Sequence, residues 1–228
     1  VSREAFIASN LQLAPLILID GAWLQGITCP SIINTTVGKL LFKVFFEEVG
    51  EGHQEHHHAN VYRALLKEMD LNLPTVDSLQ FAELDILKDA SFEVPVLWLS
   101  LSCFPRHFMP ELLGLNLAVE LAGVGGPYLE AHDTLKQFGF STRFVDIHNA
   151  ADNLSCGHSA LATQAIKQYM SYCIEHEGPQ AANVKWHRIW SGLRATLPQR
   201  GRLSTVLHHL QSIATRKRHV HVGSIFPS

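Results

Sequence analysis

Apolar positions along the chain recur with the three-to-four-residue spacing of helices. No stretch alternates apolar and polar residues between turn signals as a half-buried strand would. The run Lys39–Glu48 (KLLFKVFFEE) carries the helical pattern and stops at Gly50 and Gly52. A second helix is predicted over Ala59–Met69, ending before LNLP, and a third over about Ser78–Asp89. Ser91–Cys103 (SFEVPVLWLSLSC) is almost continuously apolar and reads as a short buried helix. Pro110–Gly125 (PELLGLNLAVELAGVG) is apolar nearly all round, which marks a central helix with no solvent face. Tyr128–Phe138 is amphipathic, with Gly139 as its C-terminal stop. Residues 142–175 read as one or two helices, Trp186–Ala195 as another and Ser204–Ala214 as the last. The pattern predicts an all-α protein of one domain over residues 1–228, with no internal repeat.

Composition supports a packed fold. Hydrophobic residues make up 46% of the chain and charged residues only 17%, so a sizeable core forms and disorder is not expected. A net charge of −3 gives no general attraction to nucleic acid. From Lys185 to the end there are eight Lys/Arg and no Asp/Glu, read as a basic surface helix and tail. The longest early apolar run, Leu11–Ile19, contains Gln12 and Pro15 and is too short to span a bilayer, so no membrane partner is expected. Cys29, Cys103, Cys156 and Cys173 form no CxxC pair and are read as reduced thiols of a cytoplasmic protein.

The oddity is histidine, with fourteen residues. The segment EEVGEGHQEHHH (47–58) places four glutamates and four histidines within twelve residues. Glu120 sits among Leu117, Ala118, Val119, Leu121 and Ala122, where a carboxylate must be paired, protonated or metal-bound. His148 and Asp152, four apart, are expected to share a helix face, and His158 follows. Carboxylates can bridge two cations, and imidazoles suit iron. The candidate site is therefore Glu48, His58, Glu120, His148, Asp152 and His158 around two irons. Glu47 and His57, one residue away, are the alternatives to Glu48 and His58, whereas His53 and His56 read as exposed or supporting.

Spacing imposes a geometric condition. On one straight helix Glu48 and His58 would lie about 15 Å apart along the axis, whereas irons sharing carboxylate bridges sit about 3.5–4 Å apart. Gly50 and Gly52 are expected to break the helix, and Gly157 to bend or unwind the segment between His148 and His158.

The stretches DGAWLQG (20–26), EEVGEGHQEHHHANVYRALL (47–66), WLSLSCFPRHFMPELLGLNLAVELAGVGGPY (98–128) and DIHNAADNLSCGHSALA (146–162) resemble the heme-oxygenase-like diiron oxidases and oxygenases, the iron-containing redox enzyme family. The resemblance implies a heme-oxygenase-like bundle of about seven core helices without heme. It matches Glu48, His58, Glu120, His148, Asp152 and His158 to the family's iron ligands. It also implies two Fe(II) with O2 as co-substrate, acting on a substrate C–H bond or amine nitrogen in specialised biosynthesis: N-oxygenation, desaturation, C–H functionalisation, or C–C cleavage to an alkene or nitrile. Members that N-hydroxylate amino groups often carry a further glutamate on an earlier helix. Around Ala22 this chain offers only Asp20, which speaks against a seventh ligand and weakens an N-oxygenase reading.

A free amino acid is the expected substrate, with Arg106 and Arg143 as candidates to hold its carboxylate and Trp98, Phe104 and Tyr128 as candidate pocket walls. An electron donor and a second copy of the chain are candidate partners. The alternative is a metal-independent thiaminase-like C–N hydrolase of the same fold, with Cys156 as nucleophile. A heme oxygenase proper is disfavoured because no histidine precedes His53.

Overall fold

A helix without a polar face must be largely withdrawn from water, and α7 (Met109–Ala122) is so up to its last turns. Its buried residues run from Met109 through Asn116 without a gap and continue at Ala118 and Glu120. The structure, a computed structural model, describes residues 1–123, 126–152, 155 and 157–196. The helix expected at Ser204–Ala214 and most of the basic tail lie outside the described residues. Among the described residues there are eleven α-helices and no strand.

Around α7 pack α10 (His158–Glu177) and, along its greatest length, α11 (Pro179–Thr196). α10 also packs on α3 (Thr36–Glu48), which in turn packs on a 3-10 segment, Ala22–Thr28. That segment also meets α6 (Glu93–Cys103), while α4 (His58–Glu68) joins α1 (Arg3–Ile17) to α9 (Arg143–Ala151). The remaining elements are α2 (Pro30–Ile33), α5 (Leu79–Ala82) and α8 (Gly126–Phe138), the last packed on α9.

The α7–α11 contact carries a charged pair. Arg188 donates from Nε and Nη2 to the two carboxylate oxygens of buried Glu111, at 2.6 and 2.7 Å, and from Nη2 to the His107 carbonyl at 2.6 Å. A fork of this kind satisfies a carboxylate that could not stay charged alone in the interior.

Two regions depart from the sequence pattern. The helix expected over Ser78–Asp89 is only one turn long, α5, capped by the Ser78 hydroxyl accepting from Phe81 N. After it the chain leaves helical geometry because α1 supplies the missing partners. The Gln12 amide donates to the Ile86 carbonyl at 2.7 Å, and its oxygen accepts from Lys88 N and Ser91 Oγ at 3.0 and 2.8 Å. The second departure is at the N-terminus, where α1, the 3-10 segment and α2 form from residues with no expected element. The helical stretch Arg3–Thr28 is long and apolar enough to cross a membrane by length and composition, which the shorter run Leu11–Ile19 did not suggest. Its Leu13, Leu16, Trp23, Leu24 and Ile27 are buried in the core.

Arg188→Ala leaves the Glu111 carboxylate buried without its partner. It is expected to lower unfolding stability by about 3–5 kcal/mol, with Glu111→Leu restoring much of the loss in the double variant. Urea unfolding of the three variants checks this, and a double variant no more stable than Arg188→Ala would contradict it.

Candidate metal centre

Helix α3 ends at Glu48 because the next residues wind the opposite way. Gly50, Glu51 and Gly52 have φ of 78°, 54° and 89°, a region only glycine enters freely. A Cβ on Gly50 would collide with the backbone of His57. This turn returns the chain so that α4 begins at His58, whose Nδ1 lies 2.6 Å from Glu48 Oε2. The second interruption lies between α9 and α10. It falls earlier than Gly157, since α9 already ends at Ala151, and Gly157 becomes the N-cap of α10. Asp152, expected on the helix face of His148, instead stands past the end of α9 and joins His158, with Oδ1 3.3 Å from Nδ1.

All six expected residues are buried and converge. Five of them, with Asp20, form two groups, and Asp152 joins the second through His158. In the first, one ligand atom each from Asp20, Glu48, His58 and His148 lie within 4.8 Å of one another, and in the second those of Glu48, Glu120 and His158 do. Glu48 belongs to both, with Oε2 beside His58 and Oε1 3.2 Å from His158 Nδ1.

Asp20, against which the sequence pattern spoke as a seventh ligand, stands with the first group. Its Oδ2 lies 3.3 Å from His148 Nε2 and 3.6 Å from His58 Nδ1, and its side chain is only 11% exposed. The signal was a carboxylate ending the apolar run Leu16–Ile19, just before the chain turns.

Which nitrogen faces the centre follows from what holds the other. His148 Nδ1 donates to the Phe144 carbonyl at 2.7 Å, leaving Nε2 toward Asp20. His158 turns Nδ1 to Glu120 Oε2, Glu48 Oε1 and Asp152 Oδ1, at 3.2–3.3 Å. The His148 ring is also wedged between Phe144 and Tyr128, with centroids at 4.4 and 5.2 Å.

The test for a metal is whether these atoms are satisfied by one another. Glu48 Oε2, His58 Nδ1, Glu120 Oε1 and Asp152 Oδ1 are buried and make no hydrogen bond, although the first two stand 2.6 Å apart. They approach closely without aligning as donor and acceptor, which leaves lone pairs that a cation among them could accept. Four carboxylates and three imidazoles balance two divalent cations in charge and supply the oxygen and nitrogen donors that iron accepts. The residues fit a two-metal centre.

Without a cation, protons must do this work. Burial alone would lower His58, but the Glu48 and Asp20 carboxylates outweigh it and push its pKa up to about 10. His148 and His158 are raised for the same reason against the same burial, by Asp20 for the former and by Asp152, Glu120 and Glu48 for the latter. Burial raises Glu120 well above the usual carboxylate range, with Glu48 and Asp152 adding to it. Burial pushes Glu48 up too, but the neighbouring imidazoles bring it below its ordinary value.

The other candidates divide. Tyr128 stands at the site on His148, and burial followed by the Asp152 and Asp20 carboxylates raises its phenol. Trp98 is a core residue, edge-on to Trp23 with centroids 4.9 Å apart. Phe104 is 63% exposed and Arg106 is exposed near Cys29, which places both on the surface. Arg143 spends its guanidinium on the Glu55 carbonyl at 2.6 Å, tying down the loop before α4. His53 and His56 are exposed, and His57 caps α4 with its Nδ1 turned inward. Glu47 is not in either group. Cys156 lies outside the described residues. Gly123, past the end of α7, has an ordinary helical φ of −74°, yet a Cβ there would collide with the Asp152 carboxylate.

The sequence model of a family described as iron-containing redox enzymes matches residues 11–195. No curated protein and no solved structure matches the chain.

Metal ligation requires neutral imidazoles, so binding of Zn(II) at pH 7 is expected to release protons from His58 and its neighbours. Calorimetric titration in two buffers of different ionisation enthalpy reads the number released, and identical heats in both would contradict it. In metal-free protein the His58 contribution to stability is complete below its ordinary 6.5 and is lost as pH rises through about 10. The melting temperature should therefore fall over that interval, and less so in His58→Gln.

Proposed function

The chain belongs to the iron-containing redox enzyme family, with its heme-oxygenase-like all-α fold, and from that premise we propose that it is a non-heme diiron oxygenase or oxidase that uses O2 to oxidise a free amino acid. The carrying observation is the pair of carboxylate–imidazole groups that share Glu48. Asp20, Glu48, His58 and His148 would hold one iron, and Glu48, Glu120, Asp152 and His158 the other. Iron held there would supply the electron-transfer chemistry that lets O2 oxidise a C–H or N–H bond, with an external donor needed to return the iron to its reduced form.

The chain's own contribution is positional. Glu48 fixes the two groups at one carboxylate's width. The Phe144 carbonyl sets the His148 ring nitrogen, and Tyr128 and Phe144 keep the ring from rotating. Leu41 and Val44 of α3, the helix that ends in Glu48, and Trp23 and Leu24 of the 3-10 segment that follows Asp20 are fully enclosed in the core.

Support for a substrate bearing an acceptor group, such as a carboxylate, comes from two buried donors. Asn116 Nδ2 and Trp98 Nε1 make no hydrogen bond. Asn116 precedes Glu120 by one turn of α7, on the same side of the helix, and its Oδ1 accepts from Trp23 Nε1 at 2.9 Å. Trp98 packs on that same Trp23. Unpaired buried donors cost about 1–3 kcal/mol each, which an acceptor on the substrate would recover. Arg106 is exposed and Arg143 is engaged with the Glu55 carbonyl, so the buried donors take their place as the carboxylate's partners in this reading.

The test is anaerobic loading with Fe(II), exposure to O2 with a panel of free amino acids, and mass spectrometry of the products. One amino acid is expected to gain oxygen or lose hydrogen or carbon in an iron-dependent way. His148→Ala should abolish this turnover and leave the helical circular dichroism intact. Iron binding with no O2 consumption on any member of the panel would overturn the reading.

A further inference from the structure

Glu47 belongs to neither metal group, yet it touches one of their members. The His158 ring is 0% exposed, and its two nitrogens face opposite ways. Nδ1 meets Glu48, Glu120 and Asp152, while Nε2 lies 2.9 Å from Glu47 Oε2. Adjacent residues at the end of α3 therefore hold one imidazole from both edges, Glu48 at the ligand edge and Glu47 at the back.

An imidazole that ligates through one nitrogen carries its proton on the other, and a buried N–H needs an acceptor. His148 uses a backbone carbonyl for this, Phe144 O. His158 is different, because its acceptor is a carboxylate, which orients the ring and also makes it a stronger electron donor to a metal. Glu47 can play this part from outside the centre. Its side chain is 32% exposed, and its other oxygen lies 3.9 Å from Lys43 Nζ one helical turn earlier. A solvated glutamate paired only with Lys43 would contribute little. The contact with an enclosed ring nitrogen is what distinguishes it.

We infer that Glu47 is a positioning residue for the second metal. It accepts the His158 Nε2–H, fixes the tautomer in which Nδ1 is the ligand atom, and so sets the affinity of the Glu48–Glu120–Asp152–His158 group for its ion. This rests on the two-metal reading above, and it makes the two halves unequal. The half served by His148 leans on a backbone carbonyl that substitution cannot remove. The half served by His158 leans on a side chain within reach of water.

The experiment compares wild type with Glu47→Gln, which keeps an acceptor and removes the charge, and Glu47→Leu, which removes both. Zn(II) is titrated calorimetrically, and long-range 1H–15N spectra report the His158 ring in metal-free and Zn(II)-loaded protein. Wild type is expected to take up two ions, with His158 bound through Nδ1 and its Nε2–H visible as a protected downfield proton. Glu47→Leu should weaken the second ion about 10- to 100-fold, lose the protected proton and leave the first ion unchanged, with Glu47→Gln between the two. Unchanged affinities and an unchanged ring signal in Glu47→Leu would overturn the inference. So would a Glu47→Gln protein that takes up a single ion, since Glu47 would then be a ligand. If wild type itself takes up fewer than two ions, the two-metal reading fails, and Glu47 is judged on the ring proton in metal-free protein alone.

Discussion

Four carboxylates are enclosed in an apolar helical bundle within reach of one another, and this fixes much of what surrounds them. Like charges so close and so far from water are sustained only if they are offset by positive charge or taken up by protons. In metal-free protein three raised imidazoles and the raised Glu120 carboxyl do this together, and two divalent cations would do it in their place. The long apolar α7 exists to bring Glu120 to the centre of the molecule, and both chain interruptions bring a histidine back to that point.

This constraint was legible in the sequence because its elements are local. A glutamate inside an apolar run, glycines between a glutamate and a histidine ten residues on, and a second histidine pair with the same separation each follow from short-range chemistry. What could not be read depends on distant parts of the chain. Asp20 looks like a loop residue until the turn before the 3-10 segment carries it beside His58 and His148. The region after α5 has a helical pattern, but Gln12, more than seventy residues earlier, offers its backbone other partners. Asp152 was placed on the helix of His148 by counting, and the end of α9 one residue earlier moved it to the other half of the site.

The same division separates the candidate substrate residues. Arginine and aromatic side chains near a motif in sequence are weak indicators, since helix ends carry both to the surface. Phe104 and Arg106 follow α6 past its last turn and meet solvent. Tyr128 is directed inward because α8 packs on α9, the helix that carries His148. The buried donors on Asn116 and Trp98 had no signature, because an amide or indole in an apolar helix reads as packing until its partners are counted.

Gly123 is the residue whose meaning changes most. At the end of a helix a glycine ordinarily adopts a left-handed backbone itself, and Gly123 does not. Its hydrogen leaves the room that the Asp152 carboxylate fills. Even alanine, the mildest of replacements and a better helix former, would force an acidic group in the heart of the bundle to move. A single methyl group there would thus be felt at the ligand shell rather than in the helix that carries it.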